Sequence, residues 1–258
     1  MLEFASILLI VLGGLGAFLL GMKHLSEGLQ AAAGQSLRKI MAMATSKRVV
    51  GVGTGIVSTI LVRTGAGHIT LVDDDVVAES NVNRQCPATA KAIGRAKVEA
   101  MAERLKEINP GCEVEARNSR FSSAASFSSL ASFDLIVDAI DSVDCKAELI
   151  LGAAEAGVPI VSSMGAALRL DPTKVKVTRF EKVEGDGLAR ALRQRFKKLG
   201  RFPREKFSCV WSEEPPFSTS TSDLDLKRPK GSLMPVTATF GMCLASEAIK
   251  ILTKGETK

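Results

Sequence analysis

Gly51, Gly53 and Gly55 alternate through GVGTG, directly behind the β-rich run RVV at 48–50. Glycines at that spacing let a backbone turn tightly and present amide donors and a helix amino terminus to an anion. Alone the run says little, because glycine-rich turns are common and the third glycine of a full G-x-G-x-x-G pattern falls on Ile56. About 20 residues on, where a dinucleotide-binding fold places a ribose-binding acid, a strand-like run ends in acid, ITLVDDD (69–75). Asp73 in that run could hold a ribose diol or cap the next helix. Further along come Asn81 and Arg84 in SNVNRQ, Lys97 in GRAK at the head of an amphipathic stretch, and Asp138 and Asp141 in DAID after an apolar one. Fixed cations stabilise charge on phosphates, and a carboxylate can hold Mg²⁺. A dehydrogenase has no need of this set; a phosphate-transfer site does. Taken singly, Arg84 and Lys97 read as solvated surface cations, and it is the joint spacing that argues for chemistry.

These side chains meet only if the elements carrying them converge. Runs rich in β-branched residues predict strands at 48–53, 68–72, 112–117, 133–140, 158–162 and 174–180. Between them the pattern predicts a short helical stretch after the glycines, then helices at 91–108, 146–156, 187–199 and 237–252. The serine-rich 122–132 suits a loop with a short helix. The Pro-, Ser- and Lys-rich 200–235 reads as one long irregular connection, a kind that is usually functional or disordered. Strands alternating with helices predict an α/β fold, a doubly wound parallel (Rossmann-like) sheet with its ligand at the strands' carboxyl ends.

Residues from about Arg63 to Lys254 resemble the ThiF-like adenylyltransferases, the family of ubiquitin-activating enzymes and of the bacterial thiamine and molybdopterin sulfur-carrier activators. Within it the chain is most similar to the tRNA threonylcarbamoyladenosine dehydratases. The resemblance rests on RTGAGHITLVDDDVV (63–77), NVNRQ (81–85), IGRAKVEAMAERLKEINP (93–110), DLIVDAIDSVDCKAELI (134–150), LDPTKVKVTRFEK (170–182), LARALRQRFKK (188–198) and PVTATFGM (235–242). It implies ATP and Mg²⁺ as cofactors and tRNA as substrate, with a homodimer expected and a sulfur-transfer protein as a further possible partner. Asp73 would bind the ribose, Asn81, Arg84 and Lys97 the phosphates, and Asp141 the Mg²⁺ near the α-phosphate. Arg84, Lys97 and Asp141 form the implied catalytic set, and Gly51, Gly53 and Gly55 line the nucleotide. Against the family's turn the segment 51–63 reads about two residues short, and β-branched Ile56 is expected to hinder backbone approach and weaken ATP. The basic residues Arg190, Arg193, Arg195, Lys197, Lys198, Arg201 and Arg204 would suit tRNA phosphates, although charge-rich helices are usually solvated faces.

The amino-terminal 1–46 reads as a separate apolar segment ahead of a 47–258 catalytic domain. Residues 4–22 carry no charge and as a helix would reach roughly 28 Å, marginal for a hydrocarbon core of about 30 Å. Lys23, Arg38, Lys39, Lys47 and Arg48 follow, which would keep the downstream chain at the inner face of the cytoplasmic membrane. A buried apolar helix is the alternative. Residues 13–62 resemble the start of a sodium/phosphate cotransporter, so the chain reads as a fusion; one hydrophobic segment cannot enclose a transport path. The five cysteines are scattered, with no C-x-x-C pair, and only two histidines are present, so structural zinc is not expected. That also sets the chain apart from the zinc-bearing sulfur-carrier activators. Cys209 could be a nucleophile or persulfide acceptor, with a spectator role the plainer reading. The net charge of +6 permits an anionic partner without requiring one. The alternatives to the dehydratase are a sulfur-carrier-protein adenylyltransferase and an inactive, membrane-tethered remnant.

Overall fold

Short runs such as HITLV and LIVD, apolar at nearly every position, suit a parallel sheet covered on both faces. The computed structural model describes residues 48–52, 55–121, 130–217 and 231–253, all within the unit Met43–Lys258. The expectations for 4–22 and Gly53 lie outside the described residues.

Seven strands form one sheet: β1 (Arg48–Val52), β2 (His68–Val72), β3 (Glu113–Arg117), β4 (Leu135–Asp138), β5 (Ile160–Ser163), β6 (Val175–Arg179) and β7 (Ser208–Ser212). Their order is β3-β2-β1-β4-β5-β7-β6. All neighbours are parallel except β6, which runs antiparallel to β7 at the sheet edge. From β1 the chain winds outward to β2 and β3, then returns to place β4 on the other side of β1. That reversal leaves a crevice above the carboxyl ends of β1 and β4, where doubly wound sheets bind ligands.

Among the described residues, five α-helices cover the sheet: α1 (Gly55–Arg63), α2 (Lys97–Ile108), α3 (Val143–Ala156), α4 (Gly187–Leu199) and α5 (Met234–Thr253). Successive strand residues face opposite layers. Leu135 and Val137 of β4 join a core with α1, α2 and α5, through Leu61, Met101, Leu105, Phe240 and Leu244 among others. Ile136 joins the opposite core with α3 and α4, through Leu149, Ile150, Leu192 and Phe196. The 20-residue α5 is long and apolar enough to cross a bilayer, yet it lays Val236, Phe240, Leu244, Ala248 and Leu252 into the core.

The expected α/β doubly wound sheet is thus the fold, with local corrections. Helix α2 starts at Lys97, not at 91, because Gly94 adopts φ 85° and breaks the run. The backbone there is strapped to the segment after β2: Gly94 N–H donates to Val77 O at 2.8 Å, and Lys97 N–H to Asp75 O at 2.9 Å. The segment 200–235 is not wholly irregular, since SCVWS within it forms β7, paired with both β5 and β6. Only five residues long and flanked by polar sequence, β7 earns its place through buried Cys209, Val210 and Trp211. Helix α4 matches its predicted bounds. Asp186 Oδ1 accepts the Ala189 N–H at 2.8 Å at its start, and Gly200 closes it at φ 64°.

Candidate active site

A cleft of about 520 Å³ opens at the β1/β4 reversal. Each wall is the end of an element: Leu71 to Asp75 after β2, Ser119 to Phe121 after β3, Ala139 to Ser142 after β4, and Ser163 at the end of β5. Gly55 and Ile56 of the first turn of α1, the Arg84–Pro87 stretch, Lys97 of α2, and Phe240 and Gly241 of α5 complete it. The free N–H groups of the first turn of α1 make it suited to an anion.

The three glycines divide. Gly51 is not in the turn: it lies inside β1, in register with Leu71 on one side and Val137 on the other. Gly55 opens α1 at the cleft, and its lack of a side chain is required, because a Cβ there would sit 3.0 Å from Pro87 and 3.1 Å from Cys86. Ile56 also borders the cleft from the first turn of α1. It is the second residue of α1, and its side chain packs on Gly241 of α5, where an added Cβ would lie 2.8 Å from Ile56 Cβ.

Asp73 is placed at the cleft as expected, with Oδ1 accepting the Asp75 N–H at 2.9 Å. Burial pushes its carboxyl above the ordinary value, opposed by that hydrogen bond and by the charge of Lys97. Asp73, Asp74 and Asp75 bring carboxylate oxygens within 4.8 Å of one another. Lys97 Nζ reaches across to Asp75 Oδ2 at 2.6 Å. Arg84 lines the cleft, braced by donation from Nη1 to Ser80 O at 2.7 Å and Asn83 Oδ1 at 2.9 Å. Asp141 is exposed at the lip after β4.

Asn81 is brought elsewhere. It is 9% exposed, its Oδ1 accepts the Ala78 N–H at 3.1 Å, and it is not among the cleft-lining residues. Its carbonyl accepts the N–H groups of Arg84 and Gln85, so it shapes the turn that presents Arg84. Cys209 is fully buried in β7, and burial holds its thiol far above the ordinary value, which removes it as a nucleophile.

Sequence reasoning missed Arg120. It lines the cleft beside Cys145, Asp74 and Asp141, and Cys145 first, then the charges of Asp74 and Asp141, favour its cationic form. The one available signal was its place just past a strand end, where this fold gathers functional groups. Arg84, Lys97 and Arg120 thus face a polyanion-sized space bordered by Asp73, Asp74 and Asp141.

The sequence model of the ThiF family matches residues 31–258. The chain belongs to the ThiF family. Its ThiF match starts well before Arg63, inside the segment read as cotransporter-like, and β1 and α1, which precede or include Arg63, are integral to the sheet. The tRNA threonylcarbamoyladenosine dehydratase of Escherichia coli (strain K12) is 37% identical over 226 residues, covering 78% of this chain and 84% of that protein. The dehydratase of the same name from Haemophilus influenzae is 34% identical over 217 residues, with 79% and 83% covered. Among ThiF-like solved structures, that of the E. coli dehydratase in complex with ATP superposes with a TM-score of 0.75 at 33% identity, covering 89% of this chain and 93% of that one.

The basic residues of α4 and its exit separate into two kinds. Arg193 caps backbone carbonyls, donating to Val183 O at 2.6 Å and Phe180 O at 2.9 Å. Arg195 pairs with Asp144 at 2.8 Å and Arg201 with Glu155 at 2.6 Å. Arg190, Lys197, Lys198 and Arg204 are exposed and have no ion-pair partner among the described residues. Exposed cations of this kind suit a phosphate backbone.

Proposed function

We propose that this ThiF-family chain is an ATP-dependent tRNA threonylcarbamoyladenosine dehydratase. The observation that carries the reading is the cleft itself. It gathers Asp73, Arg84, Lys97, Arg120 and Asp141 at the sheet's reversal point, in a chain similar over most of its length to dehydratases of that name. A threonylcarbamoyl carboxylate oxygen attacks the α-phosphorus of ATP, and pyrophosphate leaves. An internal nucleophile of the same group then displaces AMP and loses a proton, so the net change is removal of water. Arg84, Lys97 and Arg120 hold the phosphates in line, and Asp73 accepts from the ribose hydroxyls. Oxygen donors at exposed Asp141, joined by phosphate oxygens, fit Mg²⁺. When bound there the ion would neutralise charge around the α-phosphate. No cysteine is required.

The exposed cations Arg190, Lys197, Lys198 and Arg204 supply the tRNA-facing surface of this reading. It includes a homodimer at the inner face of the cytoplasmic membrane, with 4–22 as the attachment. Fractionation of the full chain beside a 1–46 deletion tests that attachment.

The deciding experiment is pyrophosphate release from ATP with threonylcarbamoyladenosine-bearing tRNA. Release that needs the modified tRNA is the expected result. Release dependent instead on a small carrier protein ending in Gly-Gly would move the assignment to a sulfur-carrier adenylyltransferase, and no release with either would identify an inactive remnant.

A further inference from the structure

Beneath the cleft lies an ionic cluster entirely out of solvent. Lys146 of α3 and Asp138 at the end of β4 are each 0% exposed, with Nζ 2.5 Å from Oδ2. Ser162, the register neighbour of Asp138 on β5, donates its hydroxyl to the same Oδ2 at 2.6 Å, and Lys146 Nζ lies 3.2 Å from Ser162 Oγ. The other carboxylate oxygen works in the opposite direction: Oδ1 accepts the N–H of Ile140 at 3.0 Å. Ile140 directly precedes Asp141, and Ala139 to Ser142 form one wall of the cleft. The far end of that turn is also tied to Lys146, whose backbone N–H donates to Ser142 O at 2.9 Å.

We propose that Lys146, acting through Asp138 and Ser162, is a positioning residue for adenylation, fixing the 139–142 turn so that Asp141 stands at one place beside the α-phosphate. The proposal rests on the reading of Asp141 given above. Burying an ammonium and a carboxylate carries a large desolvation cost, and apolar residues of similar volume often serve a core as well or better. A cluster that stabilised only the core would need neither a charge nor an acceptor aimed at a loop amide. Here one oxygen is anchored by two donors from α3 and β5, which leaves the other fixed in direction for Ile140. Rate is sensitive to such placement, since a displacement of about 1 Å at a reacting group costs on the order of a hundredfold. In the proposed reading most of the ground-state affinity for ATP comes from Arg84, Lys97, Arg120 and Asp73, outside this turn.

The test compares full-length variants in tRNA-dependent pyrophosphate release, with melting temperatures measured alongside. Asp138→Leu with Lys146→Met removes the charges and the Ile140 acceptor together. It is expected to fold, to lower kcat by about a hundredfold, and to leave the KM for ATP within about threefold. Asp138→Asn with Lys146→Met keeps an acceptor for Ile140 but loosens its anchor, and is expected to fall between this and the native chain. Ser162→Ala removes one donor to Oδ2 without stranding a charge. It is expected to fold even if the paired variants do not, and to lower kcat by roughly three- to tenfold at unchanged KM. Folded variants turning over at the native rate overturn the proposal, as does a loss of kcat that only tracks the folded fraction. Asp141→Ala in the same series tests the underlying reading: native activity there removes Asp141 from the chemistry, whatever Lys146 does.

Discussion

Lys97 Nζ stands 2.6 Å from Asp75 Oδ2, so the cation that should meet phosphate is held by a carboxylate of the same cleft. The lysine side chain is 12% exposed and the aspartate 66%, so solvent screens much of the attraction. In the proposed reading ATP competes with Asp75 for the charge of Lys97. Asp75→Asn is therefore expected to tighten ATP by about two- to fivefold, read by calorimetric titration. A variant that binds ATP more weakly would assign Asp75 to the nucleotide instead.

Asp73 gives the cleft a pH dependence. Its folded carboxyl is raised above the ordinary 3.8, burial being the largest cause. Its contribution to folding stability is therefore full below about pH 3.8 and is lost as pH rises through the higher folded value. Binding moves the other way, because the ionised carboxylate is the better acceptor for two ribose hydroxyls. ATP affinity is expected to fall as pH is lowered from neutral through that raised value. Asp73→Asn should weaken ATP about tenfold at neutral pH and flatten this dependence. An unchanged pH profile in Asp73→Asn would place the titrating group elsewhere.

Arg120 is exposed, so its removal tests binding with little effect on folding. Arg120→Ala is expected to melt within about a degree or two of the native chain. Its affinity for ATP should fall by roughly tenfold, the loss of one charge-assisted hydrogen bond. Native affinity by titration would leave Arg120 as a lip residue without a role.

The contact of Ile56 with Gly241 gives this side chain a packing role beside its place at the cleft. Ile56→Gly would not open the way to phosphate but would empty the space between α1 and α5. It is expected to cost about 2–4 kcal/mol of stability without tightening ATP. Gly241→Ala, whose new Cβ would lie 2.8 Å from Ile56 Cβ, should cost about 1–3 kcal/mol, and adding Ile56→Ala should restore part of it. Urea unfolding checks both, and a tighter ATP complex in Ile56→Gly would reinstate the view that Ile56 obstructs the nucleotide.

Legibility in the sequence followed the range of the interaction. Strand β2 and helix α4 were readable to the residue because local signals bound them: an apolar run closed by aspartates, and an Asp186 cap answered by Gly200. That Asp73 and Asp141 would border one cleft was readable because this fold puts the ends of parallel strands together. Asn81 looked like a ligand by its spacing, but whether an amide faces a cleft or its own turn depends on geometry that spacing does not encode. Arg120 and β7 were missed for a different reason. The first gains its place from a cleft shared with Asp74, Asp141 and Cys145, all distant in sequence. The second is a five-residue run whose partners, β5 and β6, lie outside any local window.

The floor that α5 lends the cleft orders events in time as well as space. Every other wall of the cleft, from Gly55 to Ser163 and Ala166, precedes α5 in the chain. A nascent chain leaving the ribosome can therefore assemble the β1–β5 portion of the sheet while Val57, Leu61 and Val137 still lack their covering helix. Until Phe240 and Leu244 emerge, the cleft lacks its apolar floor. The charged residues that border the cleft, from Asp73 to Asp141, are thus synthesised before the helix that closes it from below.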